Sequence, residues 1–488
     1  MVPVVDGLNF PTSVVVNSRG SIFIAESGLP FDGAPVGGVV SEVFPDGGRA
    51  RLAEELRPPV NGLAWSQGSL IVSEGGNPGR ISRLDPETRE RSTILDGLPG
   101  FGNYHTNMAV PGPDGKLYFS QGAMTNSGVI GPDSCDLAWL RELSHNCDVP
   151  GYDITLASFE AETPDPRSRG AARVKTGGFS PFGTSAPGRR IAGQVPCTAS
   201  IMRCDSDGSN LEVVAWGLRN AYGLGFLPDG RLIATDQGAD MRGSRPIANC
   251  PDFLYEVLKG AWYGWPDFYG GSPGTDPADF VLANHEELPP PEFALVEFKP
   301  NSCAVKFAIV PDGLPHEGDL IVALFGDEKP MTAPQGPRVG RELIRVSPRD
   351  WSLHPVSPLS LRRPIDIAFC PCSKAAYVLD FGEFEMTADG GSTARAASGC
   401  LWRLSPGFME VQMDPSVSFE KDLVPIFRQF RGAMMWRFDL TKFEDVKASA
   451  AAIYQQISSN SMPPPPFPPL TKAQIAQFKT WMDSGFPE

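Results

Sequence analysis

Short apolar runs separated by turn residues recur along most of the chain. Each unit is an apolar strand, a turn such as Pro-Asp-Gly, and a second apolar strand that usually ends in Asp, Glu or Gln followed by glycine. Such pairs, rich in Val, Ile, Leu and Phe and joined by residues that tolerate positive φ, are typical of β-hairpins. The six instances are Pro11–Ser27, Val60–Gly76, Thr106–Gly122, Ala221–Gly238, Ser302–Gly326 and Pro364–Gly382.

A second strand pair with a polar turn follows most of these hairpins, as in Gly79–Leu95, Ala199–Ala215 and Glu342–His354. Two hairpins make a four-stranded sheet, and six such sheets arranged radially leave only short strand edges. The pattern therefore predicts an all-β six-bladed β-propeller over residues 1–408, with a pair of β-sandwiches as the alternative. Insertions at about 129–196 and 265–300 are expected to cover one mouth of the central channel, because long loops in compact folds are usually functional.

The pattern changes from strands to helices at about Val417. Apolar residues recur at helical spacing in Phe419–Phe427 and Lys442–Ser458, and Thr471–Gly485 begins with a threonine N-cap and ends at glycine. Residues 409–488 are therefore predicted to form a small all-α domain.

The layout of this tail resembles a small cytochrome c domain, with Pro463–Pro466 as a stiff turn. Covalent haem attachment needs Cys-x-x-Cys-His, but Phe430–Trp436 reads FRGAMMW and no cysteine follows Cys400. The tail is therefore expected to be free of haem and to serve packing or homo-oligomer formation. Noncovalent haem and electron-transfer docking are the alternatives.

Charge and composition exclude several classes of partner. The formal net charge is −15 and no run of Lys or Arg occurs, so a nucleic-acid partner is not expected. No apolar stretch reaches the ~18 residues of a membrane span. The first residues lack the basic and apolar regions of a signal peptide, which leaves the localisation open. It is secreted or periplasmic if the N-terminus has been trimmed, and otherwise cytoplasmic.

The nine cysteines allow two interpretations. Cys135 with Cys147 and Cys197 with Cys204 are candidate disulfides, although spacing alone does not establish a contact. The alternative is a set of mostly buried free thiols. Cys370-Pro-Cys372 is shorter than the Cys-x-x-Cys sequence that is typical of metal or redox pairs.

Polar residues stand just before several predicted inner strands, which begin close to the axis of a propeller. Tyr104–Asn107 opens the third repeat, Gly217–Asn220 precedes the fourth and Arg362–Asp366 opens the sixth. Side chains that converge there suit a small molecule with anionic or carbonyl groups. His105 is a candidate base because imidazole titrates near neutral pH, and hydrogen-bonded scaffolding is the alternative. The acidic loop Asp236–Asp240 is either a calcium loop or a set of caps for backbone N–H groups.

Four segments together resemble the soluble glucose/sorbosone (aldose sugar) dehydrogenases, which use pyrroloquinoline quinone (PQQ) and calcium on a six-bladed propeller. Gly217–Asp240 is similar to the family's G-x-R-N-x-x-G-L-x-F-x-P-x-G-x-L stretch, and Tyr263–Pro266 matches its Y-G-W-P. His105 followed by Gly112–Tyr118 resembles the catalytic histidine and its G-P-D-x-K-x-Y turn. Arg362–Asp366 resembles the sixth-blade arginine segment.

The resemblance covers about residues 5–405 and implies oxidation of a sugar or other alcohol by hydride transfer to PQQ. His105 would remove the hydroxyl proton, while a cation and a guanidinium stabilise the charge of the reduced quinone. By that likeness the catalytic residues are His105, Arg219 and Asp366. The PQQ-binding residues would be Asn107, Arg219, Asn220, Trp265, Lys306, Arg362 and Arg363, and the calcium ligands Asp236, Gly238, Ala239 and Asp240.

The fifth and sixth blades depart from the family pattern. Leu324–Asp327 stands where the family has a PQQ-binding lysine, with Lys329 only nearby, and Ile365 replaces one arginine of an Arg-x-Arg pair. PQQ carries three carboxylates, so each missing cation removes a partner. Two alternatives therefore stay open. One is a cofactor-free or metal-dependent propeller enzyme, a hydrolase, cyclase or isomerase that acts on a secondary metabolite; the other is a propeller that binds a ligand without catalysis.

Overall fold

The structure of the protein is a computed structural model, which describes residues 1–100, 102–168, 172–356, 359–387, 391–405, 407–409, 417–428, 430, 439–459, 461–463, 467 and 469–486. The chain forms two compact units, Met1–Met409 and Glu410–Glu488. The first is built from β-strands and the second from helices.

Six antiparallel four-stranded sheets, numbered blade 1 to blade 6 along the chain, make up the first unit and confirm the predicted six-bladed β-propeller. From the innermost strand outward, blade 1 is Pro11–Val16, Ile22–Glu26, Gly38–Val43 and Arg49–Leu56, and blade 2 is Val60–Ser66, Ser69–Glu74, Gly79–Leu84 and Arg91–Leu98. Blade 3 is Thr106–Pro111, Leu117–Gln121, Ser200–Cys204 and Glu212–Trp216, and blade 4 is Ala221–Phe226, Leu232–Asp236, Asp252–Glu256 and Val296–Phe298. Blade 5 is Ala304–Ile309, Leu320–Leu324, Glu342–Val346 and Leu353–Pro355, and blade 6 is Pro364–Phe369, Ala376–Asp380, Gly399–Arg403 and Val2–Leu8.

Burial is greatest in the second strands of the blades. The second strands Ile22–Glu26, Leu117–Gln121 and Leu232–Asp236 are buried along their whole length, because each blade packs between two neighbours. The outermost strand Arg91–Leu98 is mostly exposed. Strands covered on both faces need continuous apolar runs, which is why the inner hairpins give the clearest signal in the sequence.

In several blades an acidic residue at the end of the second strand accepts hydrogen bonds from backbone N–H groups that lie just before an innermost strand. Asp236 accepts hydrogen bonds from the backbone N–H groups of Arg219 and Asn220, at 3.1 and 2.7 Å. These carboxylates satisfy N–H groups that no strand partner reaches, which accounts for the Asp or Glu in the repeat. The same arrangement recurs with the acceptors Glu26, Glu74 and Asp380.

The N-terminal strand closes the ring of blades. Val2–Leu8 pairs with Gly399–Arg403 as the outermost strand of blade 6, with Val2 opposite Arg403 and Leu8 opposite Gly399. Leu8 is completely buried in a core that also contains side chains of blades 1 and 5. The first and last strands of the propeller therefore belong to one sheet.

Shorter elements lie between the blade strands. The blade 3 insertion contains the helix Asp133–Asp136 and the strand pairs Ile154–Thr155 with Arg190–Ile191 and Glu160–Pro164 with Arg173–Gly177. The blade 4 insertion contains the pair Phe268–Tyr269 with Ser272–Pro273 and the 3₁₀ turns Pro277–Asp279 and His285–Glu287. Blade 1 adds the 3₁₀ turn Phe31–Gly33, and blade 6 adds the pair Phe384–Met386 with Ser392–Ala394.

The second unit has a few helices, in agreement with the helical spacing of its sequence. They are the π-helical turn Phe419–Leu423, which continues into the α-helix Val424–Arg428, and the α-helices Phe443–Ala448, Ala450–Ser458 and Lys472–Asp483. Their core contains Leu423, Phe427, Val446, Phe478 and Trp481. Two segments singled out in the sequence, Phe430–Trp436 and Pro463–Pro466, lie mostly outside the described residues. The likeness of this unit to a cytochrome c domain and its role in homo-oligomer formation stay predictions.

Two further findings concern the described ranges. No helix in them is long and apolar enough to cross a bilayer. All nine cysteines fall within these ranges and carry free thiols, so neither Cys135 with Cys147 nor Cys197 with Cys204 forms the disulfide considered above.

Candidate functional site

A cavity of about 620 Å³ lies at the mouth of the propeller, the end where the innermost strands begin. A second cavity of about 220 Å³ is lined by side chains of the innermost strands, such as Asn61 and Asn107. The two cavities share part of their walls and therefore form one axial site. The titratable side chains that line both are Tyr104, His105, Cys303 and Glu328.

The first insertion covers part of the mouth, as predicted for a lid. The indole Nε1 of Trp139 donates a hydrogen bond of 2.7 Å to Oδ1 of Asn103, which lines both cavities. Behind the wall, the Trp139 ring packs in a small apolar cluster with Met124, Ile130 and Phe182. The lid residues that line the larger cavity are Leu137, Ala138, Trp139, Glu142 and Leu143.

The second insertion does not cover the mouth, so that expectation is wrong. No residue of 265–300, all of them described, lines either cavity. Val281 and Leu282 are instead buried in the core of blades 3 and 4, and Asp267 binds the Arg245 guanidinium at 2.8 Å. Segments of the other blades contribute to the wall as well, including Gly326, Glu328, Met331 and Thr332 from blade 5 and Phe384, Met386, Gly391 and Ser392 from blade 6.

The surroundings of His105 favour its neutral imidazole form. Its Nδ1 lies 2.9 Å from the carbonyl oxygen of Gly100, and because a carbonyl only accepts, Nδ1 carries the proton. Nε2 is then an acceptor, and it has no partner in the described part of the chain. Burial disfavours the imidazolium and lowers the pKa of His105 below its usual value.

Side-chain amides form a directed chain of hydrogen bonds that runs from blade 2 to blade 5. Asn61 of blade 2 donates to Oδ1 of Asn107 at 3.2 Å, and Asn107 donates to Oδ1 of Asn220 at 2.8 Å. Asn220 donates to Oε1 of Gln237 at 2.8 Å, and Gln237 Nε2 lies 3.0 Å from the Cys303 sulfur of blade 5. The chain lines the smaller cavity with fixed amide dipoles. Asn107 and Asn220 are thus at the axis, where the sequence placed them.

Arg219 gives all five of its guanidinium donors to the protein. Nε and Nη2 bind the carbonyl oxygen and Oδ1 of Asn126 at 2.9 and 2.7 Å, and Nη2 also binds Oδ2 of Asp240 at 2.7 Å. Nη1 binds the carbonyl oxygens of Gln237 and Gly238 at 3.2 and 2.6 Å. The guanidinium therefore joins the loop after the second strand of blade 3 to the matching loop of blade 4, and no donor is left for a ligand.

A second guanidinium continues this network under the lid. Arg242 donates to Oδ2 of Asp240 at 3.0 Å, to Oδ2 of Asp133 at 2.9 Å and to the hydroxyl of Tyr104 at 2.9 Å. Burial raises the pKa of Tyr104 to about 12, so its hydroxyl keeps its proton. The Tyr104 ring in turn lies over the guanidinium of Arg219, 4.5 Å from its centre.

The loop predicted to bind calcium is occupied by hydrogen bonds. Asp236 accepts from backbone N–H groups, the Gly238 carbonyl accepts from Arg219, and Asp240 accepts from two guanidinium groups. Ala239 is buried. Burial raises the pKa of Asp236 to about 7. The described residues contain no group of three His, Cys, Asp or Glu side chains that could hold a metal ion. This loop therefore behaves as a set of caps.

Five other predicted site residues line neither cavity. Arg363 is buried and gives its five donors to four carbonyl oxygens and to Oε2 of Glu385, and Arg362 lies outside with Glu383. Lys306 donates to the carbonyl oxygens of two innermost strands at 2.7 and 2.6 Å and lies 3.4 Å from Asp366. Asp366 is the fourth of these residues. The fifth is Trp265, whose indole donates to the carbonyl oxygen of Asn126 at 3.3 Å and packs against Phe179.

Glu328 is a site residue that the sequence did not reveal. It lies in the irregular loop that follows the second strand of blade 5, and its carboxylate has no hydrogen-bond partner in the described part of the chain. Burial raises the pKa of Glu328, and the positive charges of Arg363 and Arg242 oppose this shift. No periodicity marks this position, so only the fold brings it to the axis.

These side chains do not fit PQQ or calcium. Three carboxylates need cationic partners, yet Arg219 and Arg363 have no donor left and Lys306 is sealed between innermost strands. Glu328, which lines both cavities, adds no positive charge in either protonation state. A calcium ion at Gly238 and Asp240 would compete with the Arg219 guanidinium for the same oxygens.

Comparison with known proteins finds structural similarity to sugar dehydrogenases at low sequence identity. No protein-family model matches the sequence, and no curated protein is significantly similar to it. The PQQ-bound form of aldose sugar dehydrogenase from Streptomyces coelicolor is 15% identical, with a TM-score of 0.50 over 83% of this chain and 96% of that chain. A protein of Thermus thermophilus, provisionally named as an oxidoreductase (glucose dehydrogenase), is 18% identical, with a TM-score of 0.50 over 83% and 98%. The chain is therefore a six-bladed β-propeller that is structurally similar to PQQ-dependent sugar dehydrogenases.

Proposed function

We propose that the protein is a general acid–base enzyme, an isomerase that acts on a small hydroxy carbonyl compound of the sugar class. The observation that carries this proposal is the pair His105 and Glu328, which line both cavities. Each keeps an atom without a protein partner in the described residues, Nε2 on the ring and the oxygens of the carboxylate. A neutral imidazole and a carboxyl group of raised pKa are the two groups that a proton transfer needs.

The chemistry uses only proton movements. Nε2 of His105 takes a proton from the carbon next to the substrate carbonyl, while the Glu328 carboxyl gives its proton to the carbonyl oxygen. His105 then returns the proton to the neighbouring carbon as Glu328 takes back the proton of the other hydroxyl. The carbonyl group moves by one carbon, and atoms and electrons balance within the substrate and these two side chains.

The charges around the cavity favour a neutral substrate over an anionic one. All guanidinium donors of Arg219 bind protein acceptors. The guanidinium of Arg242 donates to Asp133, Asp240 and Tyr104. Glu328 supplies no positive charge in either protonation state, so a sugar phosphate would find no cationic partner there. Hydroxyl groups, by contrast, form hydrogen bonds with a carboxyl group in both protonation states. We therefore expect neutral aldoses or ketoses to bind and their phosphates to be rejected.

The test is proton exchange with solvent in D₂O, followed by NMR over a panel of neutral aldoses and ketoses. We expect deuterium to appear at the carbon next to the carbonyl, and His105→Gln to slow this exchange by about 10²-fold or more. Because His105 acts neutral and Glu328 acts protonated, the rate rises through the lowered pKa of His105 and falls through the raised pKa of Glu328. Glu328→Gln should slow exchange and remove the alkaline limb.

Matched controls are His354→Gln and Glu297→Gln, which lie on outer strands of blades 5 and 4 and line neither cavity. Both should exchange at the rate of the unaltered protein. If His105→Gln exchanged deuterium at the rate of the unaltered protein, His105 would not be the base.

The second candidate is the dehydrogenase that the sequence motifs imply, supported by Gly217–Asp240 and Tyr263–Pro266. Its test is dye reduction with aldoses after addition of PQQ and calcium, together with calorimetric titration of PQQ. The charge pattern around Glu328 leads us to expect neither binding nor dye reduction. Tight PQQ binding with dye reduction, in the absence of deuterium exchange, would favour the dehydrogenase and overturn the isomerase.

A further inference from the structure

Two cysteines that the proposed function does not use meet at the opposite end of the propeller. The innermost strand of blade 6 runs from Pro364 at the mouth to Phe369, and the turn to Ala376 carries Cys370 and Cys372. Neither cysteine lines the axial cavities. Any chemistry of this pair is therefore separate from His105 and Glu328.

The turn brings the two sulfurs into direct contact. Sγ of Cys370 and Sγ of Cys372 are 2.9 Å apart. Backbone hydrogen bonds of 2.8 Å, from the Lys374 N–H to the Cys370 carbonyl and from the Cys370 N–H to the Ala375 carbonyl, close the turn around them. The spacing of one residue, which the sequence suggested was too short for a redox pair, is compensated by this tight turn.

The environment favours the thiolate form within the pair. Burial raises the pKa of the Cys370 thiol, but hydrogen bonds from Cys372 and from the Ser373 N–H outweigh burial and lower it to about 7. The same contact raises the pKa of Cys372. One proton is thus shared between two sulfurs, and one negative charge is available near neutral pH.

The two sulfurs differ in access, which suits consecutive roles. Of the nine cysteines, all in the described ranges, only Cys372 is exposed, whereas Cys370 is 3% exposed. An exposed sulfur can meet a partner in solution, and a buried sulfur beside it can complete the exchange without meeting that partner.

We infer that Cys370 and Cys372 form a dithiol site that is reversibly oxidised by thiol–disulfide exchange with a small-molecule disulfide. The Cys372 sulfur gives its proton to the Cys370 thiolate and attacks the disulfide, so that a mixed disulfide forms and the first thiol leaves with that proton. The Cys370 thiolate then attacks Cys372, the Cys370–Cys372 bond forms, and the second sulfur leaves as a thiolate that takes up a proton from water. Two cysteine sulfurs are oxidised and one disulfide is reduced to two thiols.

The pair lies beside the seam where blade 6 meets blade 1. A Cβ atom at Gly20, in the corresponding turn of blade 1, would lie 3.0 Å from Sγ of Cys372 and 3.8 Å from Sγ of Cys370. Blade 6 is also the sheet that the N-terminal strand completes. The turn of blade 1 therefore packs closely against both sulfurs, at a position where glycine carries no side chain.

The test uses the full-length protein with oxidised glutathione, followed by alkylation under denaturing conditions and mass spectrometry. We expect the count of free thiols to fall from nine to seven, with loss of two hydrogen atoms from the intact mass and recovery by dithiothreitol. The rate should rise between pH 6 and 8 as the thiolate fraction grows through a pKa of about 7.

Two variants make the assignment specific. Cys372→Ser removes the exposed sulfur and should keep eight free thiols after the same treatment. Cys135→Ser, the matched control, starts from eight and should still fall by two. A glutathione adduct that persists on Cys372 while Cys370 remains free, or oxidation of Cys372→Ser at the rate of the unaltered protein, would overturn the inference.

Discussion

At the scale of single residues, two arginines that the sequence predicted to bind a ligand instead join neighbouring blades by hydrogen bonds. Arg219 and Arg363 each stand before an innermost strand, and each binds the loop of its own blade and that of the preceding blade. The sequence could identify these positions but not their acceptors, which come from distant parts of the chain. His105 was predictable because it directly precedes an innermost strand, whereas Glu328 was not because its loop has no repeat.

Arg219→Ala should lower the free energy of unfolding by about 3–5 kcal/mol, since it removes one partner of a buried ion pair and leaves the carbonyl oxygens of Gln237 and Gly238 without donors. Arg219→Lys keeps the charge with three donors instead of five and should cost less. The matched control is Arg173→Ala, an exposed partner of Glu162, with an effect below about 1 kcal/mol. Urea unfolding followed by tryptophan fluorescence measures all three, and an Arg219→Ala loss below about 1 kcal/mol would contradict this role.

At the scale of elements, the inner hairpins were predictable and the insertions were not. The repeat Pro11–Ser27 contains the strands Pro11–Val16 and Ile22–Glu26, because burial on both faces leaves a continuous apolar signature. The path of an insertion depends on long-range contacts instead. In the second insertion, residues 265–300, the side chain of Leu282 is buried in the core of blades 3 and 4. In the first insertion, Trp139 packs at the mouth of the propeller.

Trp139→Ala should open the lid without unfolding the blades. Loss of a buried ring is worth about 3 kcal/mol, which corresponds to about 100-fold in the population of the open lid. Limited proteolysis within residues 137–147 should accelerate accordingly while the main urea transition stays unchanged. Trp139→Phe keeps an aromatic ring but loses the hydrogen bond to Asn103 and part of the indole packing, so its acceleration should be smaller. Equal protease resistance of Trp139→Ala and the unaltered protein would show that the ring does not hold the lid.

At the scale of the whole molecule, stability depends on closing the ring in blade 6. Leu8 and Val2 lie on the same closing strand, but Leu8 is fully buried and Val2 is 63% exposed. The strand could be predicted only indirectly, since its partner lies near the far end of the propeller sequence.

Leu8→Ala should therefore lower the free energy of unfolding of the propeller by about 2–5 kcal/mol, whereas Val2→Ala should change it by less than about 0.5 kcal/mol. Urea unfolding of the two variants measures the difference directly. Equal effects would mean that the closing strand contributes little to the packing of blade 6.

The same closure imposes an order in time on a ribosome. Val2–Leu8 is made before its partner Gly399–Arg403, which emerges about 400 residues later, roughly 20–80 s at ~5–20 residues per second. During that interval blades 1 to 5 can assemble in sequence while the strand Val2–Leu8 waits unpaired. Synthesis of Gly399–Arg403, and not the formation of any earlier blade, is the event that lets the ring around the axial cavity close.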